Sequence, residues 1–299
     1  MGKVIQRQGN YESFNILEIL ELHEDLPMKF DVVIPTLNSE SRLEREVFRS
    51  VLKRIWEQIP VNMLIIVDDG SKDDTVNVAQ EFKAVVIKGA GSLGKAREIG
   101  INNVKTEWFY FIDDDNLITP RFHERMWKHA NKNVGMIFAQ AIIPYDNYLV
   151  RYETTLGKLR RSLGLRDHTE DRGYTGATLM RTNAVRGIQI PPVGRQEDYF
   201  IMKHCEKQGW KVEYASEIVV LHLAPNLPSC QTEYFEGYGL AIVKAISKQR
   251  MLASWLLTYP KSLLIFPYVR TKKALSEIPR MYYLNYKGYC DGLNKFKRN

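Results

Sequence analysis

Cysteine is scarce in this 299-residue sequence, which has only three, all in its second half. They are Cys205, Cys230 and Cys290. Scattered cysteines of odd number indicate neither a disulfide framework nor a zinc site. A chain of this length can bury a large core without either, so one large domain with an appendage is the expected organisation.

Long apolar runs are also missing. A membrane-spanning helix needs about 20 mostly apolar residues, and no stretch of the sequence meets this requirement without interruption. The longest apolar stretch, residues 251–268, is interrupted by Pro260, Lys261 and Pro267. The first 29 residues are polar apart from a short apolar segment around residues 14–22. We therefore expect no signal peptide and a cytoplasmic location.

Three adjacent aspartates, Asp113, Asp114 and Asp115, follow an apolar and aromatic run at residues 108–112 that is typical of a buried strand. Unpaired carboxylates are costly to bury, so these side chains must meet solvent or a cation. Mg²⁺ and Mn²⁺ prefer oxygen ligands and bridge readily to phosphates. Ligands of open α/β sheets bind at the carboxyl ends of strands. The triplet therefore indicates a divalent-metal site or a solvated acidic turn.

Two strands upstream also end in polar loops. Residues 63–67 stop at Asp68 and Asp69, and residues 30–34 lead into residues 35–38 (PTLN). The alternation of strands and helices from residue 30 to about residue 138 predicts an α/β fold. Its sheet would be Rossmann-like, mostly parallel and flanked by helices.

The first helix is predicted from apolar residues that recur four apart between Leu43 and Ile55. Ser41 and Glu44 have the spacing of a capping box, which predicts that this helix begins near Ser41.

Four motifs carry a resemblance to a known family. They are residues 33–38 (VIPTLN), 67–73 (VDDGSKD), 96–100 (AREIG) and 113–115 (DDD). In this order and spacing they resemble the motifs of family 2 glycosyltransferases of the GT-A fold. The resemblance runs from about Phe30 to about His222, some two thirds of the chain. It implies inverting, hexosyl-type transfer from a nucleotide-diphosphate sugar to an acceptor hydroxyl, with Mg²⁺ or Mn²⁺.

The resemblance also implies a donor site at these strand ends. Pro35 and Thr36 would lie against the base and ribose, and Asp68 or Asp69 would accept a hydrogen bond from a ring N–H of the base. One of the two aspartates could instead cap the following helix. The residues assigned to the donor are Pro35, Thr36, Asn38, Asp68, Asp69, Lys95, Arg97, Asp113 and Asp114.

The metal site implied by the resemblance is a D-x-D motif formed by Asp113 and Asp115, with Asp115 as the more direct ligand. The metal would bind the diphosphate and absorb the charge of the leaving group. His222 is a further candidate ligand, because imidazole can bind Mn²⁺. The alternative for a lone histidine on an apolar strand is a satisfied core residue. Asn116 stands where many relatives have another acid.

Residues 89–94 (GAGSLG) match the dinucleotide fingerprint G-x-G-x-x-G literally. That fingerprint belongs to the first strand of a βαβ unit, whereas this loop follows the third strand. The resemblance explains the glycines as a flexible loop that delivers Lys95 and Arg97 toward the donor phosphates.

An inverting transfer needs a base for the acceptor hydroxyl, and residues 195–200 (RQEDYF) resemble the family's E-D motif. The resemblance assigns the general base to Asp198 and places Glu197 on the acceptor side. Both acids could also complement the dipole of the helix that they begin. Gly176 and Ala177 belong to a segment that resembles the family's lining of the acceptor side.

The C-terminal part concentrates the positive charge. Residues 244–299 contain twelve Lys/Arg and two acids, a balance of +10, whereas the whole chain has +7. Basic residues beside Trp255, Phe266 and several tyrosines suit an anionic membrane surface. The alternative is a helical appendage that packs on the catalytic domain. No nucleic-acid motif accompanies the charge, so we expect no nucleic-acid partner.

The sequence thus predicts three parts: an N-terminal extension (1–29), a catalytic domain (30–225) and a basic, aromatic helical region (226–299). The nucleotide-sugar half would cover about 30–138 and the acceptor half about 139–225. The donor would be a UDP-, GDP- or dTDP-sugar and the acceptor a glycan or lipid-linked glycan. A nucleotidyltransferase and a non-catalytic sugar-nucleotide or membrane-binding module are the alternative functions.

Overall fold

The computed structural model describes residues 28–44, 46–89, 91–146, 148–164, 172–223, 230–269 and 271–296. The strands are β1 Phe30–Thr36, β2 Val61–Asp68, β3 Val85–Lys88, β4 Trp108–Ile112, β5 Asn116–Ile118, β6 Val134–Ile142, β7 Ala177–Arg181 and β8 Lys211–His222. The helices are α1 Ser39–Arg42, α2 Val47–Gln58, α3 Thr75–Glu81, α4 Leu93–Asn103, α5 Phe122–Trp127, α6 Tyr148–Ser162, α7 Thr182–Val185, α8 Glu197–Lys207, α9 Cys230–Ile242, α10 Lys248–Leu256, α11 Thr258–Val269 and α12 Lys273–Phe296. Most of the predicted N-terminal extension lies outside the described residues.

One eight-stranded sheet has the order β3-β2-β1-β4-β7-β6-β8-β5. Strands β1 to β4 are parallel, as predicted. Strand β7 runs antiparallel to both of its neighbours, and β5 is antiparallel to β8, so the sheet as a whole is mixed. The predicted α/β fold is confirmed. Because β1, β2 and β4 are parallel neighbours, their carboxyl ends meet at one edge.

The central strands are apolar throughout because both faces of the sheet are covered. In β1, Val32 and Ile34 belong to one core and Val33 to the other. In β4, Tyr110 belongs to the first of these cores and Phe111 to the second. This alternation places successive residues on opposite faces. It explains why the strands show continuous apolar runs, as expected for parallel strands covered by helices.

The first predicted helix divides into two. Helix α1 ends at Arg42, and α2 begins after Glu46, which has a positive φ of 69° and makes no side-chain cap. The capping box predicted for Ser41 and Glu44 is therefore wrong. The backbone N–H of Ser41 already donates to Asp73 Oδ2 at 2.7 Å, so a partner from the next loop replaces the local one.

The C-terminal region is helical, as predicted, and α9 packs closely against α12. A Cβ atom on Gly237 would lie 1.7 Å from the carbonyl oxygen of Asn285, and one on Gly288 would lie 1.9 Å from that of Tyr234. Glycine at both positions therefore lets the two backbones touch. No helix among the described residues is long and apolar enough to cross a membrane.

Candidate active site

The loops after β1 and β2 are held together by side chains at their strand ends. Asp68 accepts hydrogen bonds from the Thr36 hydroxyl at 3.1 Å, from the Ser71 hydroxyl, and from the backbone N–H groups of Gly70 and Ser71. Each carboxylate oxygen thus takes two hydrogen bonds. Asn38 joins the same loops, since its side-chain oxygen accepts from the backbone N–H of Lys72 at 2.8 Å.

Asp69, in contrast, anchors the glycine-rich loop. One of its oxygens, Oδ1, accepts from the backbone N–H of Gly91 at 2.6 Å. Gly89 leaves room for that carboxylate, because a Cβ there would lie 2.6 Å from the same oxygen. At the other end of the loop, the Ser92 hydroxyl caps α4 by accepting from the backbone N–H of Lys95. The described part of this loop is therefore a structural bridge between the β2 and β3 strand ends.

Asp114 is buried and paired with the loop after β1. The Arg42 Nη2 atom lies 2.6 Å from both of its oxygens, and the Ser39 hydroxyl also donates to it. Burial, opposed by the Arg42 charge and reinforced by Asp115, raises the pKa of Asp114 to about 6. The partners of Asp114 are thus protein groups, and its predicted donor contact stays a prediction.

Asp115, the last aspartate of the triplet, contacts His222 at the end of β8. The His222 Nε2 atom lies 3.4 Å from Asp115 Oδ2, and Arg42 Nη1 lies 3.7 Å from the same oxygen. The pairing follows from sheet register, because Asn116 at the start of β5 lies opposite His222 at the end of β8. Burial alone would raise the Asp115 pKa, but the hydrogen bond and charge of His222 hold it below its usual value.

The Asp115–His222 pair fits a divalent ion because one Asp115 oxygen is free, within the described residues, to bind it. Asp115 Oδ1 is buried and has no hydrogen-bond partner among the described residues. A buried carboxylate oxygen left in that state is costly and calls for a cation or donor. The described residues contain no group of three or more His, Cys, Asp or Glu that could hold a metal by itself. The pair would therefore need oxygens from the donor to complete a coordination shell.

Arg97 connects the triplet to the E-D motif. It is fully buried, with its Nη2 atom 2.7 Å from Asp113 Oδ1 and its Nε atom 3.3 Å from Glu197 Oε1. Its guanidinium also lies over the Phe111 ring, 5.1 Å from the ring centre. The remaining Nη1 atom is buried and lacks a hydrogen-bond partner within the described residues. Lys95, its predicted companion, pairs with Glu98 at 2.8 Å.

Glu197 and Asp198 form the first turn of α8, as the sequence predicts. Burial and the neighbouring Asp198 raise the pKa of Glu197 to about 7, although the Arg97 charge opposes the shift. The Asp198 pKa is also raised by burial, with the charge of Arg172 opposing it. Two adjacent buried carboxyls with raised pKa values are typical of sites that move protons.

Arg172 holds Asp198 from the other side and extends the network to the C-terminal helices. Its Nε atom lies 3.2 Å from Asp198 Oδ2, and its Nη1 atom lies 3.2 Å from Glu236 Oε1 on α9. Gln196 also donates to Glu236. Gly239 allows this contact, since a Cβ there would lie 2.4 Å from the Arg195 carbonyl oxygen.

Gly176 and Ala177 border the triplet directly. The Gly176 carbonyl accepts from the backbone N–H of Asp113 at 2.9 Å, and Ala177 pairs with Ile112 across the sheet. A Cβ on Gly176 would lie 2.4 Å from the Tyr174 hydroxyl and 2.5 Å from Asn116 Nδ2. Only glycine fits between these groups.

The side chains of the triplet, His222 and the E-D motif thus form three groups of ion pairs that adjoin along the chain. Arg42 and His222 hold Asp114 and Asp115, Arg97 joins Asp113 to Glu197, and Arg172 joins Asp198 to Glu236. Three residues of these groups, Arg42, Arg172 and Glu236, are absent from the sequence assignments. Arg42 follows the first motif closely and could have been found as a basic residue near three acids. Arg172 and Glu236 have no motif around them, so no local signal identifies them.

Comparisons with known proteins concern the family and the fold of the chain. Residues 31–186, more than half of the chain, match the family described as Glycosyl transferase family 2. The chain is 31% identical over 112 residues to the poly(ribitol-phosphate) beta-N-acetylglucosaminyltransferase TarP of Staphylococcus aureus (strain N315), a match covering 35% of this chain and 34% of that protein. It is 29% identical over 122 residues to the glucosyl-3-phosphoglycerate synthase of Petrotoga mobilis, with 38% of this chain and 36% of that protein covered. The chain therefore spans about a third of the length of these relatives.

Among solved structures, the chain is similar to glucosyl-3-phosphoglycerate synthase from Mycobacterium tuberculosis in complex with Mn²⁺, uridine diphosphate and phosphoglyceric acid. The TM-score is 0.53 at 19% identity, covering 79% of this chain and 82% of the other, so the likeness concerns the fold. The Mn²⁺ and nucleotide belong to that complex. The fold likeness and the match over residues 31–186 lead to one conclusion: the chain belongs to glycosyl transferase family 2.

Proposed function

We propose that this protein transfers a hexosyl group from a nucleotide-diphosphate donor to an acceptor hydroxyl, with inversion at the anomeric carbon. The observation that carries this proposal is the chain of ion pairs from the partly exposed Asp113 through the buried Arg97 to the buried Glu197, which sits beside Asp198. It links the predicted donor and metal carboxylates to the predicted base. A purely structural acidic turn would not need a fully buried arginine between two motifs that are 84 residues apart (113 to 197).

Asp69, not Asp68, is the carboxylate that we assign to the nucleotide base. All four acceptor positions of Asp68 are used, one by the Thr36 hydroxyl and three by the turn that follows Asp68. Asp69 Oδ2 has no hydrogen bond within the described residues, so it can accept from a ring N–H. Pro35 and Thr36 end β1 beside it, opposite Val67 and Asp68, and would line the base and ribose. Uridine is the first base to test, because related structures contain it.

The metal ligands that we propose are Asp115 and His222, with Asp113 nearby. A bound Mg²⁺ or Mn²⁺ would offset the negative charge of the donor diphosphate and of the departing nucleotide. Arg97 forms an ion pair with Asp113 and offers to a donor oxygen its Nη1 atom, which has no partner among the described residues. This role retains the predicted contact of Arg97 with the donor phosphates while explaining its burial.

Asp198 is the proposed general base. The acceptor hydroxyl would lose its proton to an Asp198 carboxylate oxygen while its own oxygen forms the bond to the anomeric carbon. The bond between that carbon and the diphosphate oxygen breaks with its electrons going to the nucleoside diphosphate. Burial makes Asp198 a stronger base than an exposed carboxylate, and Arg172 keeps it ionised and oriented.

A groove beside the metal pair is the proposed path of a glycan or lipid-linked glycan acceptor. Its volume is about 440 Å³, and it is lined in part by Tyr145, Arg151, Lys158 and Tyr268. The Tyr145 hydroxyl donates to the carbonyl of Leu223, the residue next to His222. Tyr145 thus connects the groove, which extends between α6 and α11, to the residue next to His222.

Thermal shift with UDP, GDP and dTDP and their sugars, with and without Mn²⁺, tests donor binding, since specific ligands raise the unfolding temperature by mass action. With the donor known, acceptor screening followed by NMR of the product tests the reaction. We expect release of nucleoside diphosphate and an inverted anomeric configuration. Retained configuration would contradict the role of Asp198, and release of pyrophosphate would indicate nucleotidyl transfer instead.

A further inference from the structure

Helix α11 is apolar on its exposed side as well as on its buried side. It buries Ile265 and Val269 together with Thr258 and Ser262, whereas Leu263 and Leu264 are each 67% exposed. Surface helices of globular proteins usually carry polar residues on the side that faces water. Proline and tyrosine stand four residues before and four residues after the two leucines and are also exposed: Tyr259, Pro260, Pro267 and Tyr268.

The exposed apolar surface continues into the end of α10 and the turn to α11. We call it the leucine patch, defined by six side chains that are each more than half exposed. They are Leu256, Leu257, Tyr259, Leu263, Leu264 and Tyr268. Contiguous exposed apolar surface of this kind marks an interaction site in a folded protein. Trp255, predicted from the sequence as an interfacial residue, is instead half-buried and stacked on Tyr286, with ring centres 5.5 Å apart.

The segment that carries the leucine patch has charge of one sign only. Residues 237–276 contain seven Lys/Arg and no Asp or Glu. Exposed basic residues flank the patch closely in sequence, Lys248 and Arg250 before it and Lys272 and Lys273 after it. A partner must therefore be apolar at its centre and negative around it. A second copy of this chain would bring the same positive charge against the patch and be repelled.

From these observations we infer that the leucine patch inserts into the interface of an anionic lipid bilayer, with α11 lying in the plane of the surface. The helix has twelve residues and is about 18 Å long, which is shorter than the hydrocarbon core that a spanning helix must cross. Helices of this kind insert an apolar face to the level of the headgroups while flanking lysines and arginines bind anionic lipids.

The position of the patch relates it to the site. Tyr268 belongs to the patch and also lines the groove that Tyr145 connects to Leu223, next to His222. A bilayer against the patch would therefore lie at the outer end of the groove. An acceptor with a lipid anchor could reach the site from the membrane through this groove. That consequence rests on the proposed transferase function, whereas membrane binding itself does not.

Sedimentation of the full-length protein with vesicles tests the inference. We expect binding to vesicles of phosphatidylcholine and phosphatidylglycerol in equal parts, and weaker binding to phosphatidylcholine alone. Salt should reduce binding to the anionic vesicles, because screening weakens the attraction of lysines and arginines. A component from leucine insertion should remain in high salt, because burial of apolar surface does not depend on screening.

Two double variants separate these components. Leu263→Ser with Leu264→Ser should lower the affinity for anionic vesicles roughly tenfold or more and remove the salt-resistant component. Lys272→Glu with Lys273→Glu should remove the preference for anionic vesicles. The matched controls are Val85→Ser, an exposed apolar residue on the edge strand β3, and Lys132→Glu with Lys207→Glu, two exposed lysines outside the patch. Both controls should bind vesicles like the original protein.

Four results would overturn the inference. These are negligible binding to both vesicle types, equal binding to both at low salt, loss of binding in the controls as large as in the patch variants, or dimers without lipid that the leucine variant dissociates. Unfolding temperature and nucleotide binding should be unchanged in the patch variants, because the substituted side chains are exposed. The lysine variant keeps the test valid if the leucine variant does not fold. Absence of turnover with intact vesicle binding would count against the transferase proposal alone.

Discussion

The sheet edge and the C-terminal helices depart from ordinary folding in opposite ways. At the sheet edge, charged groups are buried: Arg97 is fully enclosed, and Asp114, Asp115, Glu197 and Asp198 are almost so. In α10 and α11, leucines and tyrosines are exposed. Neither buried charges nor exposed apolar side chains stabilise the folded protein when it is alone in water. The comparison indicates that each region is arranged for something outside the protein, a charged donor in one case and an apolar surface in the other.

The largest effect is expected when a buried charge is removed from the sheet edge. We expect Asp115→Ala to abolish Mn²⁺-dependent donor binding and to lower turnover by about 10³-fold. The change removes the buried Oδ1 atom, which has no partner among the described residues and which we propose binds the metal. Thermal shift with and without Mn²⁺ measures the binding. Glu107→Ala, at an acid whose side chain is 63% exposed and which belongs neither to the proposed site nor to the groove, is the control. Wild-type Mn²⁺ dependence in the Asp115 variant would refute the metal assignment.

Asp198→Asn tests the base with less disturbance, since it preserves the shape of the side chain. Transfer should fall by about 10²-fold or more while donor affinity stays nearly unchanged. Glu206→Gln is the control, because Glu206 lies on the same helix and pairs only at the surface with Lys203. Initial rates and donor titrations of both variants give the comparison. A loss of donor affinity as large as the loss of rate would place Asp198 in the donor site instead.

Gly176→Ala tests the packing of the sheet edge separately from its charges, because it adds one methyl group without changing charge. The new Cβ would press on the Tyr174 hydroxyl and Asn116, so we expect a loss of about 1–3 kcal/mol in the free energy of unfolding. Gly194→Ala is the control, since its Cβ would meet no atom within 4 Å. Chemical denaturation of both variants is the measurement. Equal stability of the two would show that the Gly176 neighbourhood is not tightly packed.

The smallest expected effect concerns a charged group outside both regions. His129 contacts Glu213 and Glu217 on β8, and Lys211 pairs with Glu213 at 2.8 Å. Burial of His129 opposes its protonation, but hydrogen bonds to Glu213 and Glu217 raise its pKa overall.

Because the folded state binds this proton more tightly than the unfolded state, the stabilisation is fully present below about pH 6.5 and is lost as pH rises through the raised pKa. We expect it to be below about 1 kcal/mol. His129→Gln should reduce stability at pH 6 more than at pH 9, as measured by urea denaturation at both values. An equal loss at both values would contradict the assignment.

The sequence predicts the strand ends well because their signals are local. An apolar run followed by acids, as at residues 108–115, identifies both a buried strand and the polar edge beyond it. The capping box at Ser41 is a local signal that is wrong. The backbone N–H of Ser41 donates to Asp73, 32 residues later, and not to Glu44. Competition between local and distant partners cannot be read from spacing alone.

Long-range pairing also explains what the sequence leaves out. Arg172 precedes Asp198 by 26 residues and Glu236 follows it by 38, so neither stands in a motif with the base that they surround. Trp255 and the leucines of α11 look equally interfacial in sequence. Only the packing of Trp255 against Tyr286 distinguishes them.

The ion pair between Arg172 and Glu236 has a consequence for how the protein can be divided. The family match ends at residue 186, yet Asp198, His222 and Glu236 all lie beyond it. A chain cut before α9 would remove Glu236, which is the partner of Gln196 and one of the two acidic partners of Arg172, and would leave α12 without the helix that it touches through Gly288. The C-terminal helices therefore cannot be exchanged between relatives as a separate module. A chimera would have to carry residues 172 and 195–198 together with everything that follows.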